Sequence, residues 1–291
     1  MPSLKDVSTK IVGVKKTSQI TKAMNMVSAA KLRGAQQKME NFHPYAEKFN
    51  KTMANLSGGA SGDYPLMEVR DVQAVEIVVV TSDRGLCGSF NSNIIRMAEK
   101  LAAKYEADGK KVSYVCIGKK GSNYFRKTGK MRKDYRDIMG TFQMFNAREI
   151  AQDIAANFEA GETDEVKVIY NHFRSVAKQE PTNLHLLPIK PVESEEEEGA
   201  AAGSSGDYIY EPSSEEIMTV LLPLYMNVMI YNSMLQIGAG EHAARMTAMD
   251  NATNACNDIV SELTMIYNKA RQAAITGDLM DIVGGAEALK G

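Results

Sequence analysis

Hydrophobic positions at both ends of the chain recur at alternating intervals of three and four residues. From Pro212 to the C-terminus, Ile217, Leu221, Leu224, Val228, Tyr231 and Leu235 keep this step, and Ala252, Cys256, Ile259, Leu263, Ile266, Ala270 and Ala273 resume it. Such spacing turns one seam of a helix towards one partner. At ~1.5 Å per residue, about 75 helical residues make a rod of roughly 110 Å, longer than any core this chain could wrap around it. The N-terminal segment behaves similarly. Leu4, Val7, Ile11 and Val14 form a heptad seam, after which the apolar phase shifts by one residue to Ile20, Met24 and Val27. That shift predicts a locally re-angled coiled coil. Pro44 is expected to kink this helix or remove one hydrogen bond. The run Ser57-Gly58-Gly59-Ala60-Ser61-Gly62 should end it.

Between these ends the period changes. AVEIVVVTS (74–82), VSYVCIG (112–118) and EVKVIYNHF (165–173) are β-branched runs of strand length, separated by helical stretches near 92–106, 119–127 and 147–160. Alternation of strand and helix predicts a mostly parallel sheet with covered faces. NLHLLPI (183–189) runs into prolines and is expected to lie at an edge. The fold class is α/β. A long antiparallel two-helix coiled coil is built from the N- and C-terminal segments, and a Rossmann-like α/β domain is inserted between them. The expected boundaries are 1–57 for the first helix, 74–190 for the sheet domain, 193–206 for a flexible acidic loop and 212–291 for the second helix. DYIYEP (207–212) leads into that helix, with Ser213 or Ser214 as cap and Glu216 placed for a capping box.

Two helices joined at one end by a compact domain run antiparallel, in a register where residue i faces roughly 270 − i given equal rise along both. Met24 then lies near residues 245–249, and residues 271–291 outrun the first helix. That tip carries Ile275, Leu279, Ile282, Val283 and Leu289 with few charges, which marks it as a contact element for an apolar surface.

Charge supports the pairing. The whole chain is nearly balanced, 34 basic against 36 acidic, which speaks against a nucleic-acid binder. Residues 1–57, however, hold ten Lys/Arg and three acids, whereas residues 213–291 hold four Lys/Arg and nine acids. The ends are therefore complementary. Membrane-surface binding and calmodulin-like targeting are weaker readings of the Lys-rich helix, because its apolar face is narrow. Cys87, Cys116 and Cys256 give neither a disulfide framework nor a zinc spacing and suit a reducing compartment. No apolar run is expected to approach a membrane span, the first residues lack a secretory apolar core, and no direct lipid insertion is expected.

Candidate chemistry is sparse. TSDRGLCGSFN (81–91) sits where an open α/β sheet holds ligands, so a phosphate-cradling turn or a Cys87 nucleophile are its functional readings. The chain has no GxGxxG and no GxxxxGK[ST], so no cofactor is expected and a tight packing turn is the simpler reading. His43, His172, His185 and His242 show no metal-helix spacing. A static scaffold and a small-molecule enzyme using Cys87 remain as alternative functions.

Four blocks carry a resemblance over nearly the whole length: ITKAMNMVSAAKLR (20–33), TSDRGLCGSFN (81–91), DYIYEP (207–212), and ARMTAMDNAT (244–253) with YNKARQAAIT and IVGGAEAL further on. The chain resembles the gamma subunits of F-type ATP synthases. The resemblance implies a non-catalytic central rotor. Its paired helices stand within a collar of catalytic and non-catalytic nucleotide-binding subunits, and its sheet domain forms a foot on the membrane ring beside the epsilon subunit. The complex is peripheral at the cytoplasmic face of a bacterial inner membrane. Met24 and Arg245 match positions where the shaft passes moving loops of the catalytic subunits. Arg271 and Gln272 match a polar catch on the tip, where Ile275 and Ile282 are apolar contacts, and Tyr208 and Glu211 lie near the ring. Ser28, Ser89 and Gly277-Asp278 depart from the usual family residues.

Overall fold

The computed structural model describes residues 3–57, 64–190 and 214–289. It divides into two compact units, Ala30–Ala244 and the pair Met1–Ala29 with Arg245–Gly291. Helices α1 (Leu4–Ser57) and α5 (Ser214–Ala288) contribute to both. α1 ends at the Gly-rich run and continues through Pro44.

Unit Ala30–Ala244 is built on a five-stranded sheet. Its strands are β1 (Ala74–Val80), β2 (Lys111–Ile117), β3 (Met131–Tyr135), β4 (Glu165–Phe173) and β5 (Gln179–Leu187), in the order β3-β2-β1-β4-β5. The β-branched run of β1 is buried from Val75 to Val80, as expected for a central parallel strand covered on both faces. Val78 stands opposite Val115 of β2 and Val168 of β4. β5 is the one antiparallel strand and lies at an edge. β3, at the other edge, was not anticipated: MRKDY is too polar to read as a strand, and it is paired on one side only. Helices α2 (Phe90–Ala107), α3 (Lys119–Phe125) and α4 (Met144–Glu159) complete the domain, with Ile94, Ala98, Ile150, Ile154 and Phe158 buried.

In the same unit α1 packs on α5 through rings. Phe42 meets Tyr231 edge-on at 4.9 Å between centroids, and Phe49 stacks on Tyr225 at 6.4 Å. From Tyr225 to Ala243 helix α5 is buried on nearly every side, so it is a core helix here and not one half of a narrow seam. This corrects the expectation about apolar runs. An 18-residue window of α5 reaches a mean hydropathy of 1.3, the level of a membrane span, but 44% of that window is buried inside the protein.

In the other unit α1 and α5 are antiparallel. Ser18 Oγ donates to Asn257 Oδ1 at 3.1 Å, the hydroxyls of Thr21 and Thr253 lie 2.7 Å apart, and Asn25 Nδ2 donates to the Met246 carbonyl at 2.8 Å. The register differs from 270 − i by one residue at Asn25–Met246 (25 + 246 against 270) and by five at Ser18–Asn257 (18 + 257). The expected phase slip is absent. Leu4, Val7, Ile11, Val14, Ser18, Thr21, Asn25 and Ser28 are all at least half-buried and keep one heptad phase. Ile20 and Val27, taken as seam positions, are 60% and 56% exposed. The seam turns polar and hydrogen-bonded while Ile20, Met26 and Val27 turn outward.

Candidate functional site

Two places could carry function: the helical pair of Met1–Ala29 with Arg245–Gly291, and the carboxyl edge of the sheet.

On the helical pair, the Asn25–Met246 hydrogen bond sets Met24 and Arg245 at one level. Met24 is half-buried, and its carbonyl accepts the Ser28 hydroxyl at 2.8 Å. Arg245 is buried. Ser28, where the family resemblance led us to expect Ala, therefore closes a turn of its own helix. Arg271, Gln272, Ile275 and Ile282 belong to a stretch, 271–289, in which every residue is exposed. Tyr208 and Glu211 lie outside the described residues. The polar seam of Ser18, Thr21, Asn25, Thr253 and Asn257 escaped the sequence reading. The signal that could have found it was the unbroken three-four spacing of Val14, Ser18, Thr21, Asn25 and Ser28.

At the carboxyl edge of the sheet, the strand order puts the turn after β1 at the topological switch point, between β1-β2 and β4, where open α/β sheets bind ligands. On the β2–β3 side of that turn the chain supplies its own anion. The Asp83 carboxylate accepts the backbone N–H groups of Lys119 at 2.8 Å, Asp137 at 3.1 Å and Met139 at 2.9 Å. Those are the donors an incoming phosphate would use. Ser82 N–H donates to Asn91 Oδ1 at 3.0 Å, and Asn91 Nδ2 donates to the Cys87 sulfur at 3.2 Å. Cys87 is buried, not presented as a nucleophile. Gly118, at φ +91°, lets β2 turn against β1: a Cβ there would lie 2.1 Å from the Thr81 carbonyl oxygen. These contacts tie three strand ends together, as a tight packing turn does. Among the described residues no group of three or more His, Cys, Asp or Glu is placed to hold a metal ion.

Two charged clusters flank the sheet. Glu76, fully buried in β1, is held by Arg132 through Nε at 2.5 Å, and Arg132 reaches Asp153 at 2.8 Å. Burial pushes the Glu76 carboxyl upward despite that partner. Asp153 is held below the usual range: burial opposes its charge, but Arg132 and Lys133 outweigh it. At the start of β4, burial likewise opposes the charge on Glu165. Hydrogen bonds from His185, Tyr105 and Lys167 outweigh it and hold the carboxyl at about 2. Both clusters fix strands to neighbouring elements.

Comparison with known proteins covers the whole chain. The ATP synthase family model matches residues 3–289. The chain is 65% identical over the full length of both proteins to the ATP synthase gamma chain of Desulfotalea psychrophila. It is 55% identical, again over both full lengths, to that of Nitratidesulfovibrio vulgaris. Among solved structures, the central stalk and c-ring assembly of Tetrahymena thermophila mitochondrial ATP synthase contains a chain 26% identical to this one. That match covers 80% of this chain and 99% of that one with a TM-score of 0.60. A chain of the Euglena gracilis mitochondrial enzyme, in an OSCP/F1/c-ring assembly, shares the fold at 21% identity and a TM-score of 0.71, covering 98% of this chain and 94% of that one.

Proposed function

The chain belongs to the ATP synthase gamma-chain family, the central-stalk rotors of F-type enzymes, and we propose that it transmits torque and catalyses nothing itself. The observation that carries this reading is the antiparallel helical pair, locked by hydrogen bonds, with a wholly exposed segment at 271–289. An exposed helix bearing Ile275, Leu279, Met280, Ile282 and Val283 is suited to an apolar bearing. The Asp83 carboxylate supports a non-catalytic role, since it occupies backbone N–H donors that a phosphate could otherwise use.

In this reading the helical pair stands within alternating catalytic and non-catalytic nucleotide-binding subunits, and Met24 and Arg245 pass the moving loops of the catalytic ones. Arg271 and Gln272 form a polar catch, with Ile275 and Ile282 as the greasy contact. The sheet domain sits on the membrane ring beside the epsilon subunit, with Tyr208 and Glu211 near the ring. The complex is membrane-associated, and its head lies at the cytoplasmic face of the bacterial membrane. Ion flow turns ring and stalk together, and the asymmetric shaft drives each catalytic site through different nucleotide affinities.

The test is a complex assembled with this chain and fixed by its head. A probe on the sheet domain should rotate when ATP is hydrolysed, and reconstituted vesicles should acidify. Hydrolysis without rotation of the probe would refute the reading.

A further inference from the structure

Between Gln236 and Gly240 helix α5 is buried at every position. Three contacts from the sheet domain converge on this stretch, all within the unit Ala30–Ala244. Phe173, the last residue of β4, donates its buried N–H to Gln236 Oε1 at 2.9 Å. Phe90, the first residue of α2, sits against Gly240 so closely that a Cβ there would lie 2.8 Å from its Cε2. Phe142 lies beside Gly238, where a Cβ would meet its Cε1 at 3.5 Å, and packs edge-on against Tyr231 at 5.8 Å. Asn171 Nδ2 donates to the Phe90 carbonyl at 3.0 Å, so β4 and α2 grip the helix as one piece.

Packing alone does not require this combination. Two glycines two residues apart, Gly238 and Gly240, weaken the interior of a helix, and a buried side-chain acceptor is needed only if it has a directional partner. Both features make sense under torsion. Interdigitated apolar side chains also resist turning, but they can re-pack at modest cost where total volume is kept. A directional hydrogen bond off the helix axis and a ring seated in a glycine notch resist rotation about that axis.

We infer that Gln236 and Gly240 form a keyed joint through which torque passes between the sheet domain and α5, Gln236 being a positioning residue whose oxygen holds β4 in angular register on the helix. The inference rests on the rotor reading above and adds the place where sheet and shaft are locked together.

The experiment uses the complete complex, fixed by its head, with a bead tethered through Lys127→Cys on the exposed surface of the sheet domain. The readouts are the angular variance of the bead during catalytic dwells and the unloaded hydrolysis rate. Gln236→Leu removes the acceptor and should raise the variance about twofold with hydrolysis unchanged. Gln236→Glu keeps an acceptor oxygen in either protonation state and should restore the variance. Gly240→Ala, which lifts Phe90 from its notch, should raise it as well. Unchanged variance in Gln236→Leu, together with faster hydrogen exchange at the Phe173 amide, would show a bond that carries structure but no torque, and would overturn the joint. If Gln236→Leu does not assemble, the variance of Gly240→Ala decides, and no increase there overturns it equally. A bead that fails to turn in the unaltered complex removes the rotor reading itself, and the joint with it.

Discussion

Thr21 of α1 and Thr253 of α5 face each other with their hydroxyl oxygens 2.7 Å apart. Each is also within reach of a carbonyl of its own helix, Thr21 of Ser18 at 3.0 Å and Thr253 of Met249 at 2.8 Å. Two protons therefore serve three acceptors. One hydroxyl donates across the pair while the other donates along its helix. A polar residue at a seam position sets register at a cost in stability.

Replacing both residues by valine should dry this level of the pair. Neither substitution strands a buried donor, so the double variant should be at least as stable as the parent, and more stable by on the order of 1 kcal/mol if the new methyls pack well. Register should become less specific. Cysteine pairs at Ser18/Asn257 and at positions shifted by one turn report it: only the first should crosslink in the parent, and both in the double valine variant. A loss of more than ~2 kcal/mol would mean that the hydroxyls are needed for more than register.

Glu165 gives a pH signature. With the folded value at about 2 against an ordinary 4.5, the charged form is favoured in the folded chain. Its contribution is complete above pH 4.5 and fades as pH falls towards 2. Glu165→Gln should cost roughly 2–3 kcal/mol at neutral pH. Urea titrations of the full-length chain at several pH values should show the gap between parent and variant closing on acidification. A gap that stays constant down to pH 3 would mean that the network of His185, Tyr105 and Lys167 does not hold the charge.

Gly118 is a test of backbone need. At φ +91°, with the Thr81 carbonyl 2.1 Å from a would-be Cβ, no side chain fits without moving β1. Gly118→Ala should destabilise the sheet domain by ~3 kcal/mol or more, since conformational strain and a backbone clash add. Gly129→Ala is the control: its φ is +69° but nothing lies within 4 Å, so only strain applies and the cost should be smaller. Equal losses in thermal unfolding would remove the steric argument.

How much of this was legible in the sequence depends on how strongly burial shaped each stretch. β1, β2 and β4 are mostly buried and read as β-branched, largely apolar runs, whereas β3 has one neighbour and polar side chains, so nothing in its composition announced a strand. The helical ends are visible as periodicity, but the exposed Ile20 and Val27 point hydrophobicity to a different phase from the one the polar seam keeps. The buried middle of α5 was read as a seam because its surplus apolar positions face the sheet domain, a partner that periodicity alone cannot reveal. For the candidate site, chain-end pairing brought Met24 and Arg245 to one level. The Asp83 plug could not be foreseen, since its donors come from residues 36 to 56 positions away.

Met24→Lys tests the shaft's passage through its collar. The thioether is half-buried next to the level of Arg245, so a lysine would direct a second cation outward and meet any acidic passing loop with a new contact at each step. Chain stability should change by less than ~1 kcal/mol. In reconstituted vesicles, ATP hydrolysis should persist while protons pumped per ATP fall. Unchanged coupling would remove Met24 from the contact surface.

The exposed end of α5 allows folding and function to be separated within one segment. Ile275 and Ile282 are 50% and 67% exposed, so Ile275→Ser with Ile282→Ser removes only contacts along the exposed helix and should leave the unfolding free energy within ~0.5 kcal/mol of the parent. Gly277 has no atom within 4 Å of a would-be Cβ and no positive φ, so Gly277→Ala should stiffen the helix by about 1 kcal/mol. If an apolar collar covers this segment in the complex, the serine variant should lower the yield of intact complex several-fold on dilution, since two apolar contacts of roughly 1–2 kcal/mol each are lost. The alanine variant should leave that yield unchanged or raise it. Loss of chain stability in the serine variant would place these side chains against the protein's own surface. A stable chain with an undiminished yield would mean that the collar grips the shaft lower down, at the level of Met24.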